Sequence, residues 1–237
     1  MEHEHSPEAI RARLSAGPRH SYLRDWVYGG IDGAVTTFAV VSGVVGAQLS
    51  SGVILILGIA NLVADGFSMA AGSYLSTKAE RDELAHIEAI EQRHIDTVPE
   101  GEREEVREIF RKKGLEGELL ERVINVITSD RKRWIRTMLT EEYGLPLEIR
   151  SPWLAGLSTA SAFLICGFVP LVPFMFGLMS PFGLACTLTG LVFFAIGSLK
   201  SRWSTHTWWR SGLETLGVGS AAAAVAYSIG VALSDLR

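Results

Sequence analysis

The sequence predicts an all-α membrane protein: five transmembrane helices, with a cytoplasmic helical insert between the second and third spans. Three observations predict it. Five apolar blocks are each long enough to cross a bilayer, Lys and Arg sort by loop, and one long charged segment carries helix start and stop signals. The average composition hides this pattern. Of 237 residues 48% are hydrophobic, and the mean hydropathy is only +0.23, because charge is concentrated at the N-terminus and in the middle of the chain.

The apolar blocks run from Val27 to Leu49, Val53 to Leu75, Trp153 to Met179, Phe182 to Leu199 and Leu213 to Leu233. Each reaches roughly the 20 residues that a helix needs to cross about 30 Å of hydrocarbon. A soluble core helix is usually shorter and keeps a charged face. The last block has one charge, Glu214, at its very start. Pro170 and Pro173 are expected to interrupt the third span, since each removes a helical donor and crowds the preceding turn. The expected division is a cytoplasmic N-terminal tail (1–25), a hairpin of the first two spans (26–77), a helical metal-binding domain (78–150) and spans three to five (151–237).

Orientation follows from the basic residues. Arg11, Arg13, Arg19 and Arg24 precede the first span, the insert from Lys78 to Arg150 holds most of the rest, and Lys200, Arg202 and Arg210 lie in the fourth connection. The turns near Ser50 and near Met179 to Pro181 have none, and Arg237 stands alone at the far end. Cytoplasmic loops carry the excess of Lys and Arg. The N-terminus, the insert and the fourth connection are therefore expected inside, and the C-terminus outside. Trp26, Trp153, Trp203, Trp208 and Trp209 fall where an inner aromatic belt would. The segment from Met1 to Arg24 has no apolar run to act as a signal-peptide core, so the first span is expected to be its own insertion signal, and a bacterial plasma membrane is expected over a vacuole. His3 and His5 are read as part of a disordered tail. A net charge of −4 without a basic stripe away from the membrane-flanking loops points to no nucleic-acid partner. Cys166 and Cys186 lie inside spans and read as small buried hydrophobes. Gly29 with Gly33, the series Gly183, Gly190 and Gly197, and the small residues of the last span permit close helix approach. Packing within the chain and a homodimer face both remain open readings of them.

Carboxylates in hydrocarbon are costly and by default mark a site. Asp32 and Asp65 are such residues. If the first two spans turn near Ser50 to Ser51, residues equally far from that turn lie at similar depth, which sets Asp32 level with Met69 and Asp65 level with Thr36. Asn61, Asp65 and Met69 are spaced i, i+4, i+8 and share one helical face. Oxygen ligands with a thioether at one end suit softer divalent ions than magnesium or calcium. Ordinary packing for Met69, and a buried polar pair that merely holds the hairpin for the two aspartates, are the plainer alternatives.

In the insert, the second span is expected to continue as a helix to about Asp96. Pro99 starts a second helix that ends before Gly114, a third covers roughly Glu116 to Ile127, and a fourth runs from about Asp130 to Tyr143, where Gly144 and Pro146 stop it. Glu88, Glu91 and His94 follow i, i+3 steps, as do Glu102 and Glu105. Such pairs project to one side and can chelate a cation, and Glu-x-x-His recurs in di-iron bundles. A solvated acidic face interleaved with Lys and Arg is the competing reading.

Two runs carry a resemblance. Tyr28-Gly-Gly-Ile-Asp-Gly-Ala-Val-Thr-Thr-Phe-Ala-Val-Val-Ser-Gly and Asn61-Leu-Val-Ala-Asp-Gly-Phe-Ser-Met-Ala-Ala-Gly-Ser-Tyr-Leu resemble the first two spans of the vacuolar iron transporter family. The likeness extends from about Arg24 over nearly the whole chain. It implies a homodimeric transporter that exchanges iron(II), and in many members manganese(II), for protons along a path between protomers. It implies that Asp32 and Met69 match the family's transport residues, and that Glu91 with His94, Glu102 with Glu105, Met138 and Glu142 match its cytoplasmic metal-binding domain. The sequence departs from the plant pattern at Asn61 and His94, where that pattern has glutamates, and at Leu139, where it has a second methionine. Asp65 is expected to stand in for the carboxylate missing at Asn61.

The expected function is thus export of iron(II) or manganese(II) from the cytoplasm by proton antiport. No tightly bound cofactor is expected, and zinc(II) is a further candidate ion for the insert. The protein is not expected to be an enzyme. A membrane-anchored metal buffer or sensor, a di-iron oxidase built on the insert, and a transporter of manganese alone are the rival readings.

Overall fold

The computed structural model describes residues 4–16, 21–203 and 205–234. His3, Arg19 and Arg237, which entered the expectations above, lie outside them. The described residues form helices joined by short connections, without a strand. In order these are α1 (Pro7–Ala16), α2 (Leu23–Gly46), α3 (Ser51–Thr97), α4 (Pro99–Lys112), α5 (Gly117–Thr128), α6 (Arg131–Glu141), α7 (Pro152–Phe168), α8 (Val172–Met175), α9 (Pro181–Lys200) and α10 (Trp208–Ala232). Five helical stretches are long and apolar enough to span a membrane: Leu23–Gly46, the apolar part of Ser51–Thr97, Pro152–Met175, Pro181–Trp203 and Trp208–Ala232. The protein is an all-α membrane protein.

Contacts divide the chain into two units, one of Met1–Ser73 with Trp153–Arg237 and one of Tyr74–Pro152. In the first unit α2 is the central helix. Just over half of its apolar stretch is buried (56%), against 22% for that of α3 and 17% for α10. Ala34, Phe38, Val41 and Val44 of α2 meet Ile54, Cys166, Leu171, Phe174, Ala185, Phe193, Ile196 and Ala223 in one core. The glycines of α2 explain how so many helices reach it. A Cβ at Gly29 would lie 2.1 Å from the Thr159 carbonyl oxygen, and one at Gly33 2.3 Å from that of Phe163, so α2 and α7 are in backbone contact. At the other end Gly46 and Gly230 do the same for α2 and α10. These small residues serve packing within the chain. Outward-facing apolar side chains such as Ile56, Val63 and Phe67 of α3 remain exposed, as a lipid-facing surface requires.

The third span breaks where its prolines fall. α7 ends at Phe168, a 3-10 turn covers Val169–Leu171, and α8 resumes at Val172. Both cysteines are free, Cys166 buried and Cys186 exposed. Within the N-terminal tail, Pro7–Ala16 is helical. Ser6 accepts from the Ala9 N–H through its hydroxyl (3.3 Å), Pro7 takes the first helical position and Glu8 the first turn. Ser-Pro-Glu is a helix-start signal that outweighed the polarity of the segment. His5 precedes the helix and is exposed.

The second unit packs α4, α5, α6 and the later turns of α3 around Ile95, Val106, Leu120, Ile124, Ile127, Trp134, Ile135, Met138 and Leu139. Its helix ends follow the sequence signals. Pro99 opens α4, Asp130 caps α6 by accepting from the Arg133 N–H (2.7 Å), and Gly114 and Gly144 adopt φ of +88° and +66° at helix exits, a conformation that glycine reaches without Cβ strain. Much of the charge is spent in surface pairs, among them Arg107 with Glu121 (2.9 Å), Arg122 with Glu118 (2.6 Å) and Arg131 with Asp96. Pairs of this kind contribute about 0–1 kcal/mol each.

Candidate metal centre

Not every acidic residue of the second unit is spent that way. Glu91 and His94 occupy adjacent turns of α3, and Glu102 lies in the first turn of α4. The His94 Nδ1 lies 3.2 Å from Glu102 Oε1 and 3.9 Å from Glu91 Oε1. One ligand atom from each of the three falls within 4.8 Å of the others. Glu91 is 1% exposed and Glu102 4%, whereas the His94 side chain is half exposed. Two carboxylates are thus buried under an imidazole that reaches solvent.

Burial without enough partners makes the arrangement electrostatically tense. Glu91 Oε2 and Glu102 Oε2 are both buried and accept no hydrogen bond. Desolvation, then the charges of Glu91 and Glu105, push the Glu102 carboxyl up to about 8. Glu142 is raised by its own desolvation and by Glu105 and Glu91. The three-residue group therefore has Glu105 and Glu142 as charged neighbours. Buried charge is tolerated when paired or coordinated to a metal, and carboxylates with one imidazole form a donor set for iron(II), manganese(II) or zinc(II).

The structure thus brings together Glu91, His94 and Glu102, with Glu105 and Glu142 within electrostatic range. Met138 is completely buried in the core beside Leu139. Glu88 remains exposed, turned to Gln92. One participant was missed from sequence: the Tyr143 hydroxyl donates to Glu91 Oε1 (3.0 Å) across 52 positions. Its phenol is raised by burial and by that bond. No spacing rule connects an aromatic after the end of α6 to a glutamate of α3, although the adjacent Glu142 and the exit glycine Gly144 mark the place where the chain turns. Among the described residues one such metal-capable group forms.

In the first unit, Asp32 and Asp65 are partly buried in an apolar bundle. The charge of Asp65 acts on Asp32, so the two carboxylates lie within electrostatic range of each other. The turn joining their helices lies between Gly46 and Ser51, earlier than the expected Ser50 to Ser51. Counted from those helix ends, Asp32 and Asp65 are equidistant, and so are Thr36 and Asn61. The expected count, taken from Ser50 to Ser51, sets Asp32 level with Met69 instead. Helix α2 stops early because Gln48, at φ +54°, starts the reversal. The Thr36 hydroxyl is turned back to the Asp32 carbonyl (2.9 Å). The Asn61 Nδ2 and the Thr37 and Ser42 hydroxyls are buried without partners. Met69 is partly buried.

With both sets of residues located, comparison with known proteins becomes informative. The family model described as "VIT family" matches residues 23–231. The chain belongs to the VIT family. It is 32% identical over 219 residues to "Vacuolar iron transporter 2" of Oryza sativa subsp. japonica, which covers 90% of this chain and 88% of that protein. It is also 32% identical over 210 residues to "Vacuolar iron transporter 1" of Arabidopsis thaliana, covering 87% and 84%. A further relative, "Vacuolar iron transporter" of Toxoplasma gondii (strain ATCC 50861 / VEG), is 32% identical over 222 residues, covering 88% and 73%. These relatives are named as transporters and not as enzymes, and their matches include the first two spans and the insert.

Proposed function

We propose that the chain transports iron(II), with manganese(II) as a second substrate, out of the cytoplasm in exchange for protons. The observation that carries this reading is the Asp32–Asp65 pair in the apolar bundle. Two neighbouring carboxylates with no basic group acting on Asp32 favour a divalent cation or a proton at that position, and alternation between the two is the basis of an antiport cycle. The membership in a family whose relatives are named iron transporters supports the choice of ion.

In this reading Glu91, His94 and Glu102, assisted by Glu105 and Glu142, collect metal on the cytoplasmic side. Asp32 and Asp65 then carry it through the bilayer, with Asn61 and Met69 as neighbouring ligands. Protonation of the aspartates from the far side releases it. The distribution of Lys and Arg supports a cytoplasmic N-terminus and insert. In this reading the chain works as a homodimer with the path beside α3.

The test is uptake of iron(II) and of manganese(II) into proteoliposomes, with each ion competing against the other. A pH gradient should accelerate flux, and excess manganese(II) should suppress iron(II) movement. Flux indifferent to the gradient would remove the antiport step, and loss of competition would leave a single substrate. The rival buffer reading draws on the insert centre, which requires no path to bind metal. Asp32→Ala decides between them, because a buffer keeps its metal load and a transporter loses flux.

A further inference from the structure

The group with the least explained role at the metal centre is Tyr143. Its placement is enforced by the backbone. The Glu142 and Tyr143 N–H groups both return to the Met138 carbonyl (3.0 and 3.4 Å), Gly144 takes φ +66°, and the Leu145 N–H closes on the Leu139 carbonyl (2.9 Å). Leu139 is 3% exposed and Met138 fully buried, so the closing turn is anchored in the core and Tyr143 leaves it at a fixed point. From there the phenol reaches Glu91 Oε1 at 3.0 Å. The other oxygen of the same carboxylate, Oε2, is buried with no partner.

We propose that Tyr143 is a positioning residue of the insert metal centre. Its hydroxyl holds Glu91 by Oε1, the oxygen 3.9 Å from His94 Nδ1, and leaves Oε2 buried without a partner, so the carboxylate is fixed in one orientation with an oxygen free for a divalent cation. This rests on the reading of Glu91, His94 and Glu102 as metal ligands. The physical advantage is preorganisation. A glutamate on a helix has three side-chain torsions to fix, and a phenol donating to one oxygen settles the carboxylate plane before the ion arrives. Hydrogen bonds to ligating carboxylates of this kind typically change metal affinity by roughly 10–100-fold. A tyrosine also supplies a donor without a positive charge, so it orients the glutamate without competing as a cation.

The experiment uses the full chain in detergent with manganese(II) alone as the probe. Affinity is measured by calorimetry, and the electron paramagnetic resonance spectrum of the bound ion reports its ligand geometry. Four proteins are compared: wild type, Tyr143→Phe, Glu91→Gln and the double variant. Tyr143→Phe should weaken the insert site by about 10-fold or more, broaden the resonance spectrum, and leave the thermal unfolding of the metal-free protein near wild type. In the double variant the Tyr143 change should add little to Glu91→Gln, because the 3.0 Å hydrogen bond is made to that carboxylate. Wild-type affinity and spectrum in Tyr143→Phe, or losses that add in the double variant, overturn the proposal while leaving the metal centre intact. Manganese(II) binding unaffected by Glu91→Gln overturns the metal centre itself, and this inference with it.

Discussion

The two sets of carboxylates in this protein answer the same electrostatic problem in opposite ways. Glu91 and Glu102 are enclosed by protein, but an imidazole lies 3.2 Å from one and a phenol 3.0 Å from the other. Asp32 feels the charge of another aspartate, Asp65, in helices made for hydrocarbon. The difference teaches what each place suits. Neighbouring donors let a carboxylate cluster hold a cation in a defined geometry. A bare acidic pair within a bilayer must be neutralised by whatever ion or proton arrives, which is the condition for passing it on.

The sharpest way to break the comparison is Asp32→Asn. Metal flux into proteoliposomes should fall to the level of empty vesicles, while manganese(II) binding that depends on Glu91 is retained. Equal loss of both would mean that the two sites are not separate functions.

Next in size is the pH dependence of the insert centre. Glu102, raised to about 8 from an ordinary 4.5, holds a proton at neutral pH that a bound cation must displace. Calorimetric affinity should therefore rise with pH, by up to about tenfold per unit below that value, and level off above it. The same shift gives the sign for stability. A carboxyl whose folded value lies above its unfolded one contributes stability that is complete below about 4.5 and is lost as pH rises through about 8. The metal-free protein should lose stability across that window and regain it on adding manganese(II). A flat affinity profile would remove the displaced proton from the account of this centre.

Smaller effects test the scaffolds. Gly33→Ala sets a methyl 2.3 Å from the Phe163 carbonyl oxygen, an overpacking that should cost roughly 1–3 kcal/mol in detergent unfolding. Gly72→Ala meets nothing within 4 Å and should be neutral or slightly stabilising. In the second unit, Asp130→Ala removes the cap on the Arg133 N–H and should cost about 1 kcal/mol. If Gly33→Ala proved the milder change, close packing around α2 would not be what holds the bundle.

Much of this was legible in the chain. Proline and glycine punctuation placed the insert helices, because Pro99 and Gly144 act through local backbone geometry that context rarely overrides. The i, i+3 spacing of Glu91 with His94 put both on one helical face for the same reason. Ser-Pro-Glu at the start of α1 is an equally local signal. The level of Asp32 was counted from a turn at Ser50 to Ser51, and the edges of apolar runs do not say where a helix reverses. Gln48 at positive φ sets that point.

By itself, the sequence determined the helices, their membrane character and the residue types able to meet a cation, since these follow from short-range periodicity and from the cost of charge in hydrocarbon. Only the tertiary structure decided which of those residues meet. It set Glu102 against Glu91 and His94, brought Asp65 within electrostatic range of Asp32, withdrew Met138 into the core, and brought Tyr143 to Glu91. Such meetings are fixed by how helices pack and how their connections close, and no spacing along one chain encodes the distance between side chains on different helices.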